Sequence, residues 1–345
     1  MKFPNRRRAI ALALNSALAL AAPKVLAAPA AQPRRILMLT YRGETDVERG
    51  FREQIAAAAM PAEYLTLDVG QDVTRLPGLL ASAATFRPEL VYTWGTSLTL
   101  AVAGRQDAPL KHPAIADVPH VFALVAAPVA AGLVSRLDGH GRNLTGAVHV
   151  VPAVVQLRAM HAYRPFDRLG VLYTESEANS RAIVAEATQH CRQTGVKLIA
   201  RTFKSVDGKP TADGIETLVS QIRDEGAQWL YLLPDTFLGS QYARVTPAAL
   251  AGRLPTFGAA ELAVRSGGAL VGLVSRYRSV GQLAGMKAVQ ILAQGKAASS
   301  LPIETLKRFS LIVNLAVARE LGGVYPPLEM LNHAELINGT QSKSA

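Results

Sequence analysis

Several scarcities in this 345-residue sequence narrow its chemistry before any motif is read. It has one cysteine, Cys191. A lone thiol forms no internal disulfide, so stability has to come from buried apolar area rather than cross-links. Cys191 sits within a helical pattern and reads as a small, partly buried residue. Only 18% of the residues are charged, which excludes a disordered polyelectrolyte. The seven histidines are dispersed, with no i, i+4 pair, so no metal site is expected. G-x-S-x-G, Walker A, H-E-x-x-H and G-x-G-x-x-G signatures are all missing. The stretch 139–144, GHGRNL, matches only the first half of a dinucleotide loop and follows no strand pattern. No catalysis and no cofactor are therefore expected.

Long apolar runs are also scarce. The run 9–22 stands out, preceded by Lys2, Arg6, Arg7 and Arg8 and followed by small residues near Ala27. That is the pattern of a secretory signal over 1–27, with cleavage after Ala27 or Ala28. The run is too short to span a bilayer comfortably. Its end carries no cysteine, so a periplasmic protein without a lipid anchor is expected, exported by the Sec or the twin-arginine route. Five cations of the +11 formal charge lie in 1–27 with no acid, leaving +6 on the mature chain. The other cations, such as Arg34–Arg35, Arg192 and Lys307–Arg308, are scattered. They form no basic stripe, so nucleic acid is not an expected partner.

What the chain does have is apolar content, 49%, and enough length for two domains. Strand-like runs at 36–40, 62–68, 90–93 and 121–125 alternate with helical patterns at 47–59, 74–85 and 97–104. The rhythm pauses over 139–151. It restarts with strand patterns at 169–173, 197–203, 229–233, 255–258 and 269–274, and helices at 177–194, 211–226 and 237–251. Ile215, Leu218, Val219 and Ile222 fall at i, i+3, i+4 and i+7, one face of a helix. A late helix (280–294), strand (309–313) and helix (315–321) complete the pattern. This rhythm predicts an α/β fold of two Rossmann-like lobes with parallel sheets. The expected boundaries are 34–148 plus about 278–308 for one lobe, and 149–277 plus about 309–337 for the other.

In open α/β sheets, ligands bind beyond the carboxyl ends of the strands. The loops there are short, polar and often aromatic: Tyr41–Arg42, then 94–97 (WGTS), 126–128 (AAP), 173–180, 234–236 (PDT), 258–261 and Tyr277. Such loops suit stacking on Trp94 or Tyr173 and polar contacts from hydroxyls, amides and helix N-termini. The segment 168–180, RLGVLYTESEANS, is the most informative. Its Thr174 and Glu177 fit a capping box, which explains Asn179 and Ser180 less well. Asp235 either caps the next helix or reaches the cleft. Trp94 suits a rim or a core, Trp229 suits a core, and His149 reads as a hinge or surface residue.

The segments 121–134 (VFALVAAPVAAGLV), 143–146 (NLTG), 168–180, 233–236 (LPDT) and 308–321 (RFSLIVNLAVAREL) resemble the ABC-transporter substrate-binding family that includes tryptophan/phenylalanine-binding TrpX-like proteins. The resemblance runs from about residue 36 to 337. It implies a type I periplasmic-binding-protein fold, two lobes joined by three hinge strands and closing on a ligand. It carries a binding role onto Thr96 and Ser97, onto Tyr173, Asn179 and Ser180, and onto Asp235. Departures are Ala127-Pro128 for the usual Asp-Pro, Thr174 and Thr236 for usual asparagines, and Ala259–Ala260 for a frequent acid. A cleft with fewer carboxylates shifts the expected ligand from an amino acid toward an apolar or aromatic acid. The candidate contacts are Tyr41, Trp94, Thr96, Ser97, Pro128, Tyr173, Asn179, Ser180, Asp235, Thr236 and Tyr277. The implied role is solute capture for an ABC importer, as a monomer partnered by an inner-membrane permease. The alternative is a periplasmic sensor presenting its closed form to a membrane receptor.

Overall fold

The computed structural model describes residues 32–83, 85–110 and 112–340, so the expected signal segment 1–27 and its cleavage position lie outside the described residues. Strands β1 (Arg34–Thr40), β2 (Ala62–Asp68), β3 (Leu90–Trp94), β4 (His120–Ala123) and β5 (Leu144–Val148) alternate with helices α1 (Asp46–Ala57), α2 (Leu76–Ser82) and α3 (Thr96–Ala103). Helix α4 (Ala153–Tyr163) leads into a second series: β6 (Arg168–Tyr173), α5 (Ala178–Thr194), β7 (Lys197–Thr202), the small hairpin β8 (Ser205–Val206) and β9 (Lys209–Pro210), then α6 (Ile215–Asp224). The series continues through β10 (Trp229–Leu232), α7 (Thr236–Ser240), α8 (Tyr242–Ala251), β11 (Thr256–Gly258), α9 (Glu261–Arg265) and β12 (Val271–Val274). Helix α10 (Tyr277–Leu292), β13 (Glu304–Thr305), β14 (Ser310–Asn314), α11 (Leu315–Glu320), α12 (Leu328–Leu331) and β15 (Ala334–Ile337) follow.

The strands make two main sheets, ordered β2-β1-β3-β4-β5-β13 and β7-β6-β10-β11-β12-β14-β15. The first is parallel throughout. The second departs from the parallel expectation at one place, where β14 runs antiparallel to β12. Strand β14 enters this sheet from β13 of the other sheet, and on its far side it pairs in parallel with β15. From the sheet memberships, the chain passes between the two sheets after β5, after β12 and after β13.

Near-continuous apolar strands explain why both sheet faces are covered. In β1, Ile36 and Met38 join a core with α1 and α10, while Leu37 and Leu39 join another with α2 and α3. In β10, Trp229 and Tyr231 face one core, and Leu230 and Leu232 the other. The late helix α10 is built into the first lobe by backbone contact with α1. A Cβ added at Gly281 would stand 1.9 Å from the Val47 carbonyl oxygen, and one at Gly50 2.0 Å from that of Arg278. Only glycine admits this approach. Helix α4, which the helical patterns leave unassigned, carries the buried Gln156. Its amide donates to the carbonyls of Ala259 and Leu273, and its oxygen accepts from the Tyr231 hydroxyl at 2.6 Å. A polar residue on the buried face weakens the amphipathic signal.

Candidate functional site

Both sheets reverse direction of growth at equivalent places, between β1 and β3 and between β6 and β10. Such switch points are where doubly wound sheets open a crevice at their carboxyl edge. The loops leaving β1 and β3 carry Tyr41, Arg42, Trp94 and Gly95. Those leaving β6 and β10 carry Thr174, Pro234 and Asp235. Residues of both sets line one cavity of about 60 Å³ between the lobes, including Arg42, Trp94, Asn179 and Asp235. Outside it lies a wider mouth of about 410 Å³, bordered by Asp68, Gln71 and Ser240, with Arg42 and Tyr242 on both boundaries.

The first-lobe wall is aromatic and carries unsatisfied donors. Tyr41 and Trp94 stack with centroids 5.7 Å apart and planes 8° from parallel. The Arg42 guanidinium lies over both rings, 5.1 Å from the Trp94 centroid and 5.7 Å from that of Tyr41. It reaches toward the other lobe, 3.8 Å from where a Cβ on Gly239 would stand. Among the described residues, the Arg42 Nε, the Trp94 indole N–H and His149 Nδ1 are buried with no hydrogen-bond partner. Trp94 is only 8% exposed and His149 6%. Such groups cost free energy while unsatisfied. Helix α3 opens at this wall from Gly95, at φ +80°, without a side-chain cap, so its N-terminal dipole faces the cavity uncompensated. Leu124, also at the cavity, holds φ 60°, a strained conformation for a branched side chain.

The second-lobe wall is satisfied. Asp235 Oδ1 accepts from the Thr174 hydroxyl (2.9 Å) and the Leu238 N–H (2.8 Å). Its Oδ2 accepts from the Thr174 N–H (2.7 Å) and the Ser180 hydroxyl (2.8 Å). Four donors fill the acceptor capacity of one carboxylate. Asp235 thus caps α7 and ties β6 to β10 at the switch point. Glu177 accepts from the N–H groups of Thr236 (3.0 Å) and Phe237 (3.2 Å). The expected capping box at Thr174 and Glu177 is therefore corrected. Helix α5 starts after Glu177 with no side-chain cap, because both side chains are drawn to the neighbouring α7. Asn179 donates to the Pro234 carbonyl at 3.1 Å.

Burial sets the electrostatics. It pushes the Glu177 carboxyl up to about 7, with the Asp235 charge adding, and it raises Asp235 as well. It holds His149 down at about 4. Burial also raises Tyr41, Tyr242 and Tyr277, each opposed by the Arg42 charge.

Of the sequence candidates, Trp94, Thr96, Asn179, Asp235, Thr236 and Tyr277 line the cavity. Tyr41 stands one layer back under Arg42. Ser97, Pro128, Tyr173 and Ser180 do not line it. Ser180 is spent on Asp235, Tyr173 packs against the second-lobe core, and Pro128 accepts from Leu133 in a turn. Arg42, His149 and Tyr242 join the lining without having stood among the candidate contacts. Arg42 follows Tyr41 directly, and His149 follows the carboxyl end of β5, so the strand-end rule reaches both. Tyr242 lies inside the stretch read as one helix, 237–251, which breaks at Gln241 into α7 and α8.

Two doubly wound lobes with a cleft between their carboxyl edges define the two-lobed α/β binding proteins of the type I periplasmic class. Solved structures of that shape agree. A conserved domain protein from Vibrio cholerae superposes with a TM-score of 0.75 at 21% identity, covering 88% of this chain and 99% of its own. An ABC domain in complex with L-Trp from Streptococcus pneumonia gives 0.74 at 20% identity, covering 88% and 100%. A family model described as ABC transporter substrate binding protein matches residues 94–335, and the chain belongs to that family, whose members bind solutes and are not enzymes. A curated relative, the tyrosine-binding protein of Clostridioides difficile (strain R20291), is 26% identical over 209 residues. That match spans 60% of this chain and 58% of the relative. No described helix is long and apolar enough to cross a membrane.

Proposed function

We propose that this chain is the periplasmic solute-binding component of an ABC importer. It would capture a small organic solute, an amino acid or an aromatic or apolar acid, between its lobes and deliver it to an inner-membrane permease. The observation that carries this reading is the meeting of both switch points at one cavity that holds unpartnered buried donors. We assign 34–148 with about 278–308 to one lobe and 149–277 with about 309–337 to the other. Segment 1–27 is proposed as a cleaved signal without a lipid anchor, and the mature protein as a monomer. Tyrosine and L-Trp, the solutes of two of these similar proteins, support an aromatic ligand.

A cavity of about 60 Å³ is smaller than a ligand site of several hundred Å³. Entry requires the lobes to part or Arg42 to swing out, which is the hinge motion of two-lobed binding proteins. A thermal-shift screen of the mature protein over amino acids and aromatic acids tests the reading. A true ligand at about 100 times its Kd stabilises by about 2.7 kcal/mol and raises Tm by several degrees. A screen in which no small solute moves Tm defeats it.

A further inference from the structure

The cleft's free hydrogen-bonding capacity is one-sided. A ligand ammonium needs an acceptor with unused lone pairs, by preference a carboxylate. The carboxylate lining the inner cavity is Asp235, and its four acceptor positions are taken by Thr174, Ser180 and Leu238. Glu177, behind it, is engaged with the N–H groups of Thr236 and Phe237. Glu261, below the cavity floor, accepts from the Tyr277 N–H and from Arg265 and Arg276. Asp68 borders the outer mouth alone and accepts from Thr40. The aromatic face that could hold an ammonium by cation–π attraction already carries the Arg42 guanidinium. A second cation beside it would meet like-charge repulsion.

Donors, in contrast, are in surplus. Arg42 makes no hydrogen bond and no ion pair among the described residues beyond its contact with the two rings. The Trp94 N–H is buried without a partner and its side chain lines the cavity. The uncapped start of α3 adds the Thr96 peptide N–H on the same side, the Gly95 N–H being taken by the Ala123 carbonyl. A carboxylate satisfies this set, and Tyr242, Tyr277 and Leu262 offer apolar surface for the rest of a ligand.

We infer that the ligand is an aromatic carboxylate without an ammonium group, its carboxylate held by Arg42 and the Trp94 N–H on the first-lobe wall. The inference rests on the binding role proposed above and narrows its substrate class.

The test is calorimetric titration of the full mature protein with matched probes. These are 3-phenylpropionate and indole-3-propionate, the corresponding L-phenylalanine and L-tryptophan, and the amines phenethylamine and tryptamine. The des-amino acids should bind at least tenfold tighter than the amino acids, and the amines should not bind. Arg42→Gln should weaken the acids at least tenfold. Trp94→Phe, which keeps a stacking ring and removes the N–H, should weaken them several-fold, with far-ultraviolet circular dichroism of both variants unchanged. Amino acids binding as tightly as the acids, or tighter, overturn the inference and leave the solute-binding role standing. Acids whose affinity ignores both substitutions also overturn it. If no probe of any class binds, the inference and the aromatic-solute role fail together.

Discussion

The two lobes repeat one topology and finish it in opposite ways. At the first switch point, the strand ends are bridged by stacked rings, Tyr41 on Trp94, with a guanidinium over them and donors left open. At the second, Thr174 and Asp235 lock the strand ends by hydrogen bonds that leave no acceptor position on Asp235 free. The same sheet edge can therefore be a recognition surface or an internal brace. What separates the two is whether the polar groups there already have partners. Buried donors left unpartnered at a cleft are available to a ligand; paired ones hold the fold.

Substitutions on the two walls should split accordingly. The largest effect belongs to the second wall. Asp235→Ala strands four donors in a buried site and should lower unfolding free energy by about 3–4 kcal/mol, read by urea denaturation. A loss below about 1 kcal/mol would dissolve the distinction between the walls.

Next is acid sensitivity. Burial holds His149 at about 4, below its ordinary value near 6.5, so the folded chain resists a proton that the unfolded chain takes. The stability tied to His149 is complete above about pH 6.5 and is lost as pH falls toward 4. Between pH 7 and 4, the wild type should lose roughly 3 kcal/mol more than His149→Gln. His120, buried and held at about 3, is common to both proteins and cancels. Glu177 and Asp235 are shifted the other way. They favour the folded state while protonated, and that contribution fades as pH rises through their folded values. Glu177→Gln should therefore flatten the stability decline between pH 5 and 8.

Thr174→Val keeps the shape and removes one hydroxyl donor from Asp235. It should cost about 1–2 kcal/mol and leave ligand affinity within about twofold by calorimetry. The smallest stability effect belongs to the first wall. Arg42→Gln should change unfolding free energy by no more than about 1 kcal/mol, the guanidinium's contacts being with the two rings, while solute affinity falls. Stability loss comparable to that of Asp235→Ala would make Arg42 a brace and the two walls alike.

Much of the fold was legible. The alternating apolar runs located ten strands of the two main sheets within a few residues, because strands covered on both faces are apolar along their whole length. The elements that escaped had weaker patterns. Strand β5 begins inside a glycine-rich stretch, and α4 buries Gln156 where an apolar residue would mark the face. Strand β15 pairs at the edge with half-exposed residues. The site was legible as a set of loops but not as a division of roles. The T-x-x-E spacing occurs twice near helix starts. At Thr45–Glu48 it closes a true capping box, with Glu48 accepting from the Thr45 N–H at 2.8 Å. At Thr174–Glu177 both side chains turn to α7 instead. Spacing alone cannot tell these apart, since the competing partner is about sixty residues away in sequence.

The two α/β lobes, the family and the strand-end loops that face the cleft were written into the chain. Those follow from periodicity and local motifs, which act over a few residues. Which polar groups at those loops are already paired emerged with the packed fold. Pairing depends on strands brought side by side across the sheet, and it is this that made Asp235 a brace and left Arg42, Trp94 and His149 open.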